Sequence, residues 1–129
     1  MKSVKINLVL SFLTFCFIAG ISAQVSKTVI VEHFTNTRCG ICSFKNPDFY
    51  NNLNSQDGIL HLSVHPSSPY SSCVLNQHNK SENDARTNFY GLYGSTPKFA
   101  IQGEPQPGNL QVGNPNIWTP YLNQTTPVS

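Results

Sequence analysis

Acidic side chains are scarce in this sequence, which has 129 residues and only six aspartates and glutamates. They are scattered along the chain, so nothing supports the paired carboxylates that a hydrolase uses as acid and base. The chain also has no glycine-rich phosphate loop, no H-E-x-x-H motif and no G-x-S-x-G motif. Phosphate-loop, zinc-protease and serine-hydrolase chemistry therefore have no signature here.

An excess of basic charge is also missing from most of the chain. Lys2 and Lys5 account for the formal net charge of +2, so the sequence from Gln24 onward is neutral. No stripe of lysine and arginine is present that could follow a phosphate backbone. We therefore expect no nucleic-acid partner.

The N-terminus has the pattern of a segment that directs export. A short basic stretch precedes an apolar run at residues 6–18, and a small residue, Ala23, follows where a signal peptidase would cut. The run is shorter than the roughly 20 residues of a membrane span. We predict a signal peptide at 1–23 and one exported domain at 24–129, which has no membrane span and is periplasmic, attached to the cell envelope or extracellular.

The pattern of the remaining chain predicts an α/β fold. Short β-branched and apolar runs predict strands, apolar residues at helical spacing predict helices, and Gly, Pro, Asn and Ser clusters predict loops. The order β-α-β-loop-α-β-(α) is typical of a sheet with helices on its faces. The predicted strands are 27–34, 59–64 and 98–102, the helices begin at 42, 81 and 116, and the main loops are 65–79 and 103–115.

Three cysteines follow the signal peptide, and two of them form a C-x-x-C motif, Cys39-Gly-Ile-Cys42; the third is Cys73. The pair fits a redox couple, half of a zinc site or a small structural disulfide. If Cys39 lies just before a helix, the helix dipole favours its thiolate, which is the nucleophilic form. Arg38 would add positive potential. Cys42, about one turn later, would then be the resolving thiol.

Several features together resemble the thioredoxin-like superfamily. The strand VIVEHF ends five residues before Cys39, CGIC is similar to the family's CGPC and CGHC, and Pro47 lies eight residues after Cys39. YGLYGSTPKFAIQG resembles the family's segment around its cis-proline. The resemblance covers about residues 27–103, leaving an irregular C-terminal segment at 104–129. It implies a thioredoxin-like fold, with a central mixed sheet flanked by helices.

The resemblance also implies an activity and the residues that perform it. The protein would be a thiol–disulfide oxidoreductase that acts on protein thiols and disulfides, needs no cofactor or metal and depends on a separate redox partner. Pro97 would be the cis-proline, and Thr96 would pair with an extended substrate segment. Gly40 and Ile41 would tune the redox potential, and Pro47 would kink the active-site helix.

One position departs from the family pattern. Thioredoxins place a buried carboxylate six residues before the nucleophile, where this chain has His33, with Glu32 beside it. Histidine can also move a proton, so His33 is a candidate catalytic residue. A shift of one residue in the strand would instead turn Glu32 inward. In a third interpretation His33 only packs in the core.

Two other functions compete with the redox enzyme. The first is a binding module of the same fold, which does no catalysis and keeps the motif as a static disulfide. The second is a zinc domain. The long gap between the ligand pairs and the oxidising environment of an exported protein argue against it. Its ligands would be Cys39, Cys42, Cys73 and His78, with His61 and His65 as alternates.

Overall fold

The computed structural model describes residues 24–25, 27–107, 117, 119–122 and 126–127. The predicted signal peptide lies outside these residues. Within them, no helix is long and apolar enough to cross a membrane. In chain order the elements are β1 (Gln24–Val25), β2 (Val29–Phe34), α1 (Gly40–Asn54), β3 (Ile59–Val64), α2 (Val74–His78), α3 (Lys80–Tyr90), β4 (Lys98–Ile101), β5 (Glu104–Pro105), α4 (Thr119–Leu122) and β6 (Thr126–Pro127).

The main sheet has four strands in the order β3-β2-β4-β5. β2 is parallel to β3 and antiparallel to β4, and β4 is antiparallel to β5. This mixed sheet with helices confirms the predicted α/β class. β1 and β6 form a separate two-stranded antiparallel ribbon, in which Gln24 is opposite Pro127.

The two faces of β2 alternate along the strand, because successive side chains point to opposite sides of a sheet. One face carries Val29 and Val31, which pack with Phe49 and Leu53 of α1. The other face carries Phe34, which packs in a second cluster beside the end of α3, together with Val64, Leu92 and Ala100. β2 is therefore the covered centre of the sheet.

The first helix begins at Gly40, directly after Cys39 and two residues before the predicted start at 42. Its inward side is formed by buried Cys42, Phe49 and Leu53, which recur at about whole turns of the helix. Phe44 is apolar but does not belong to this inward side, and it is exposed. An α-helix turns by about 100° per residue, so Phe44, two residues after Cys42, points away from the buried row.

Two short elements lie in segments that were predicted to be loops. α2 occupies part of the predicted loop 65–79, and β5 occupies part of the predicted loop 103–115. Both elements are too short for a periodic pattern to reveal them.

The helix predicted to begin at 81 is α3. It ends before Gly91, whose φ of 64° is the left-handed conformation that glycine adopts without strain.

An ion pair between the buried Glu32 and the partly exposed Arg86 ties α3 to β2. Glu32 is almost completely buried, and both of its carboxylate oxygens accept hydrogen bonds from Arg86: Nε donates to Oε2 at 2.5 Å and Nη2 to Oε1 at 2.6 Å. The hydroxyl of Tyr90 also donates to Oε1 at 2.6 Å. Burial alone would raise the pKa of Glu32, but the hydrogen bonds from Arg86 and Tyr90 outweigh it and hold the pKa below its ordinary value.

We expect Arg86→Ala to lower the free energy of unfolding by about 2 kcal/mol, because it leaves the Glu32 carboxylate buried with only one donor. Lys80→Ala is the matched control, since it removes the ion pair between the exposed Lys80 and Asp84 and should lower the stability much less. Urea unfolding followed by circular dichroism measures both. Equal stability of the two variants would contradict the structural role given to Arg86.

Candidate functional site

The turn between β2 and α1 is fixed by one buried side chain, Asn36. Its Oδ1 accepts a hydrogen bond from the backbone N–H of Arg38 at 2.9 Å, and its backbone oxygen accepts one from the N–H of Cys39 at 3.1 Å. Its Nδ2 donates to the backbone oxygens of Pro66 at 2.9 Å and Tyr70 at 3.2 Å. Asn36 therefore holds both the approach to the cysteines and the loop that follows β3.

Cys39 and Cys42 form a disulfide at the start of α1, with their Cα atoms 5.2 Å apart. Cys39 is the N-cap residue, and its Sγ accepts a hydrogen bond from the backbone N–H of Cys42 at 3.1 Å. Free N–H groups at a helix start stabilise negative charge. After reduction, the same arrangement would stabilise a thiolate on Cys39.

Thr96 and Pro97 lie next to this disulfide, although 57 positions separate Thr96 from Cys39. The peptide bond between Thr96 and Pro97 is cis, as the resemblance implied. The backbone oxygen of Thr96 is 3.4 Å from Cys39 Sγ. A Cys39 thiol could donate a hydrogen bond to this oxygen, so the structure brings the two predicted halves of the site together.

The other residues predicted from the motif lie at the surface of the turn and of α1. Arg38, Gly40 and Ile41 are exposed, and Pro47 is exposed within α1. A Cβ added at Gly40 would have no atom within 4 Å, so this glycine is not required by close packing. Phe44, also exposed, adds an apolar side chain to the same end of the helix.

His33 lies on the face of β2 that packs against α1, with no exposed surface. Its ring centroid is 4.4 Å from that of Phe49, 5.2 Å from that of Phe99 and 5.7 Å from that of His61. Neither ring nitrogen has a hydrogen-bond partner among the described residues. Burial, and then the positive charges of His61 and His65, lower the pKa of His33 to about 3. His33 is therefore neutral at neutral pH.

Glu32 faces the opposite side of the sheet, toward α3 and Arg86. The register that would turn Glu32 toward α1 does not occur, because β2 pairs His33 with Ser63 of β3 and with Phe99 of β4. β2 therefore presents the imidazole ring of His33 to α1, and not a carboxylate.

Cys73 is a buried thiol that packs against the turn before the disulfide. The hydroxyl of Thr37 donates a hydrogen bond to Cys73 Sγ at 3.3 Å, and Cys73 forms no disulfide within the described residues. Burial would raise the pKa of this thiol, but hydrogen bonds from Thr37, Asn76 and Leu75 lower it below its ordinary value. Two positions separate Thr37 from Cys39, so the third cysteine is close to the motif in space.

The histidines and cysteines of the proposed zinc set have other contacts. In the part of the chain that the structure describes, no three His, Cys, Asp or Glu side chains are arranged to hold a metal ion. Cys39 and Cys42 are bonded to each other, and the Nδ1 atom of His65 is 3.1 Å from the backbone oxygen of Thr35.

Asn36 and Thr37 are the site residues that sequence reasoning did not single out. Asparagine before a turn often hydrogen-bonds the backbone two residues on, so the contact from Asn36 to Arg38 had a local signal. Its contacts with Pro66 and Tyr70, and that of Thr37 with Cys73, span 30 residues or more. Such contacts depend on tertiary structure and have no local signal.

Comparison with protein-family models, with curated proteins and with solved structures finds no significant match to this chain.

We expect the protein to lose stability as the pH falls, because His33 is buried in its neutral form. The unfolded state protonates His33 below its ordinary pKa of 6.5, whereas the folded state does so only near 3. The stability present at pH 7 is lost as the pH falls from 6.5 toward 3, by about 2 kcal/mol between pH 7 and pH 5. Urea unfolding at both pH values measures this difference.

The matched variants separate His33 from the other histidines. His33→Phe should remove most of the loss between pH 7 and pH 5, since a phenyl ring fits among Phe49 and Phe99. His78→Gln, on the exposed side of α2, should leave the loss unchanged. An unaltered pH dependence in His33→Phe would show that another group is responsible.

Proposed function

We propose that the protein is an exported thiol–disulfide oxidoreductase with a thioredoxin-like fold. The observation that carries the proposal is the position of Cys39: its sulfur caps α1, accepts the N–H of Cys42 and lies 3.4 Å from the backbone oxygen of Thr96, beside a cis proline. The strand order β3-β2-β4-β5, with a helix between the two parallel strands, is compatible with this fold.

The proposed reaction begins with the reduced protein. The thiolate of Cys39 attacks one sulfur of a substrate disulfide, and the other substrate sulfur leaves as a thiolate that takes up a proton. Cys42 loses its proton and attacks Cys39 Sγ, which releases the second substrate thiol and forms the Cys39–Cys42 disulfide. The substrate gains two electrons and two protons, and thiols of a separate redox partner restore the enzyme. In the reverse direction the same steps oxidise a dithiol substrate.

The other predicted residues have supporting roles in this proposal. The exposed Arg38 adds positive potential near the nucleophile, and Thr96 offers its backbone to an extended substrate chain. Gly40 and Ile41 set the potential of the disulfide. His33 is the candidate group for exchanging the proton of Cys42 during resolution. Its pKa of about 3 opposes this role, because an effective general base has a pKa near the operating pH.

A static disulfide is the second candidate function, and burial favours it. Only 4% of Cys39 and 1% of Cys42 are exposed, whereas an attacking thiol must be reached by its substrate. In this alternative the protein is a binding module whose disulfide stabilises the start of α1.

Trapping of substrate distinguishes the two functions. We expect Cys42→Ala to accumulate mixed disulfides with exported proteins through Cys39, because nothing then resolves the first intermediate. Cys42→Ala with Cys73→Ala should accumulate the same adducts, and Cys39→Ala should accumulate none through the motif. Non-reducing gels with mass spectrometry identify the linked cysteines.

The wild type should also reduce insulin in the presence of dithiothreitol faster than the double variant Cys39→Ala, Cys42→Ala. Absence of adducts together with absence of insulin reduction would leave the static disulfide as the function. Metal analysis of the reduced protein tests the zinc alternative separately, since one zinc per chain would favour that domain.

A further inference from the structure

The strand β3 forms one edge of the sheet. In the order β3-β2-β4-β5, β2 is the only strand that pairs with β3 among the described residues. An edge strand presents unpaired N–H and C=O groups that can pair with another strand. Proteins usually protect such edges with lysine, proline or a bulge, and the sequence of β3, ILHLSV, has neither lysine nor proline.

The hydrogen-bond pattern shows which backbone groups of β3 point outward. Val29 N–H donates to the oxygen of Gly58, and Thr35 N–H donates to that of Val64. Because residues of a parallel pair alternate in the direction of their backbone groups, even-numbered residues of β3 bond to β2. Ile59, His61 and Ser63 then direct their N–H and C=O groups away from the sheet.

The same edge carries an exposed apolar surface. Leu60 and Leu62 are 49% and 47% exposed, and Ile30, which lies beside Leu60 in the parallel register, is 39% exposed. All three lie on the face of the sheet that also carries Glu32 and Phe34, but the second core cluster includes only the residues at the other end of the strands. Adjacent apolar side chains beside an open edge are typical of an interaction surface.

We propose that a second copy of this chain pairs with β3, so that two β3 strands run antiparallel about a two-fold axis through His61. Ile59 would exchange hydrogen bonds with Ser63 of the second copy, and His61 with its own counterpart. Leu60 would then lie opposite Leu62 of the second copy. The two sheets would join into one sheet of eight strands.

Charge and symmetry favour a second copy over other occupants. In an isologous interface the same strand lies on both sides of the two-fold axis, so a charge on this short strand would come close to its own copy. β3 has no charged residue over its six positions, which removes this repulsion.

The segments of the same chain outside the described residues are less suited to pair with β3. The stretch at 108–116, GNLQVGNPN, is rich in glycine, asparagine and proline, which are poor strand formers. Residues 1–23 are predicted to be removed.

Two substitutions test the interface without altering the bonds inside the sheet. Ser63→Pro removes an N–H that points outward, and Leu60→Lys places a charge at an exposed position. Each should raise the dissociation constant of the dimer at least about tenfold. Ser63→Thr keeps the N–H and is the matched control. Circular dichroism and urea unfolding verify that each variant folds.

Sedimentation equilibrium across micromolar concentrations measures the association. Cys73→Ser serves as a background in which no covalent dimer can form through that thiol. We expect a reversible dimer in the wild type and in Ser63→Thr, and mainly monomer in Ser63→Pro and Leu60→Lys. A wild type that stays monomeric, or a dimer that both substitutions leave intact, would overturn the proposal.

Amide hydrogen exchange resolves which strand edge is covered. In the dimer the N–H groups of Ile59, His61 and Ser63 should be protected, and in monomeric Leu60→Lys they should exchange quickly. Those of Leu60 and Leu62 should be protected in both, because they bond to β2. Protection of the outward amides in a monomeric wild type would also contradict the proposal, since a segment of the same chain would then cover the edge.

Discussion

β2 is hydrogen-bonded on both of its edges and buried on both of its faces except at Ile30, and this constraint decides the chemistry of two neighbouring residues. A polar side chain on either face cannot reach water, so it must either find hydrogen-bond partners inside the protein or stay neutral. Glu32 keeps its charge because Arg86 and Tyr90 supply donors on the side of α3. His33 packs among the rings of Phe49, Phe99 and His61 on the side of α1 and remains neutral because it is buried. The same strand thus carries a buried charge and a buried neutral base.

The end of β2 also determines where the cysteines lie. Asn36 closes the turn and attaches it to the loop after β3, so that α1 begins with Cys39 at its cap and the loop places Cys73 against Thr37. In the proposed reduced state, the free N–H groups at the start of α1 would stabilise a thiolate on Cys39. A single short turn therefore connects the sheet, the disulfide and the third cysteine.

The elements that the sequence predicted are those with strong local patterns. A helix at the C-x-x-C followed from the motif after a strand, although it begins at Gly40 and not at the predicted 42. The neighbourhood of Thr96-Pro97 followed from the family resemblance. α2 and β5 are too short to have a detectable period. The contacts of Asn36, and the choice of His33 rather than Glu32 for the α1 face, depend on strand register and on residues far away in sequence, which local propensity does not encode.

The proposed oxidoreductase requires the Cys39–Cys42 disulfide to open and close during each reaction cycle. Its reduction potential can be measured by equilibrating the protein with mixtures of reduced and oxidised glutathione and then alkylating the free thiols for mass spectrometry. We expect a reversible transition of this pair alone, at a potential within the range of about −270 to −120 mV that thiol–disulfide oxidoreductases span. A disulfide that stays closed below about −300 mV, as structural disulfides do, would contradict it.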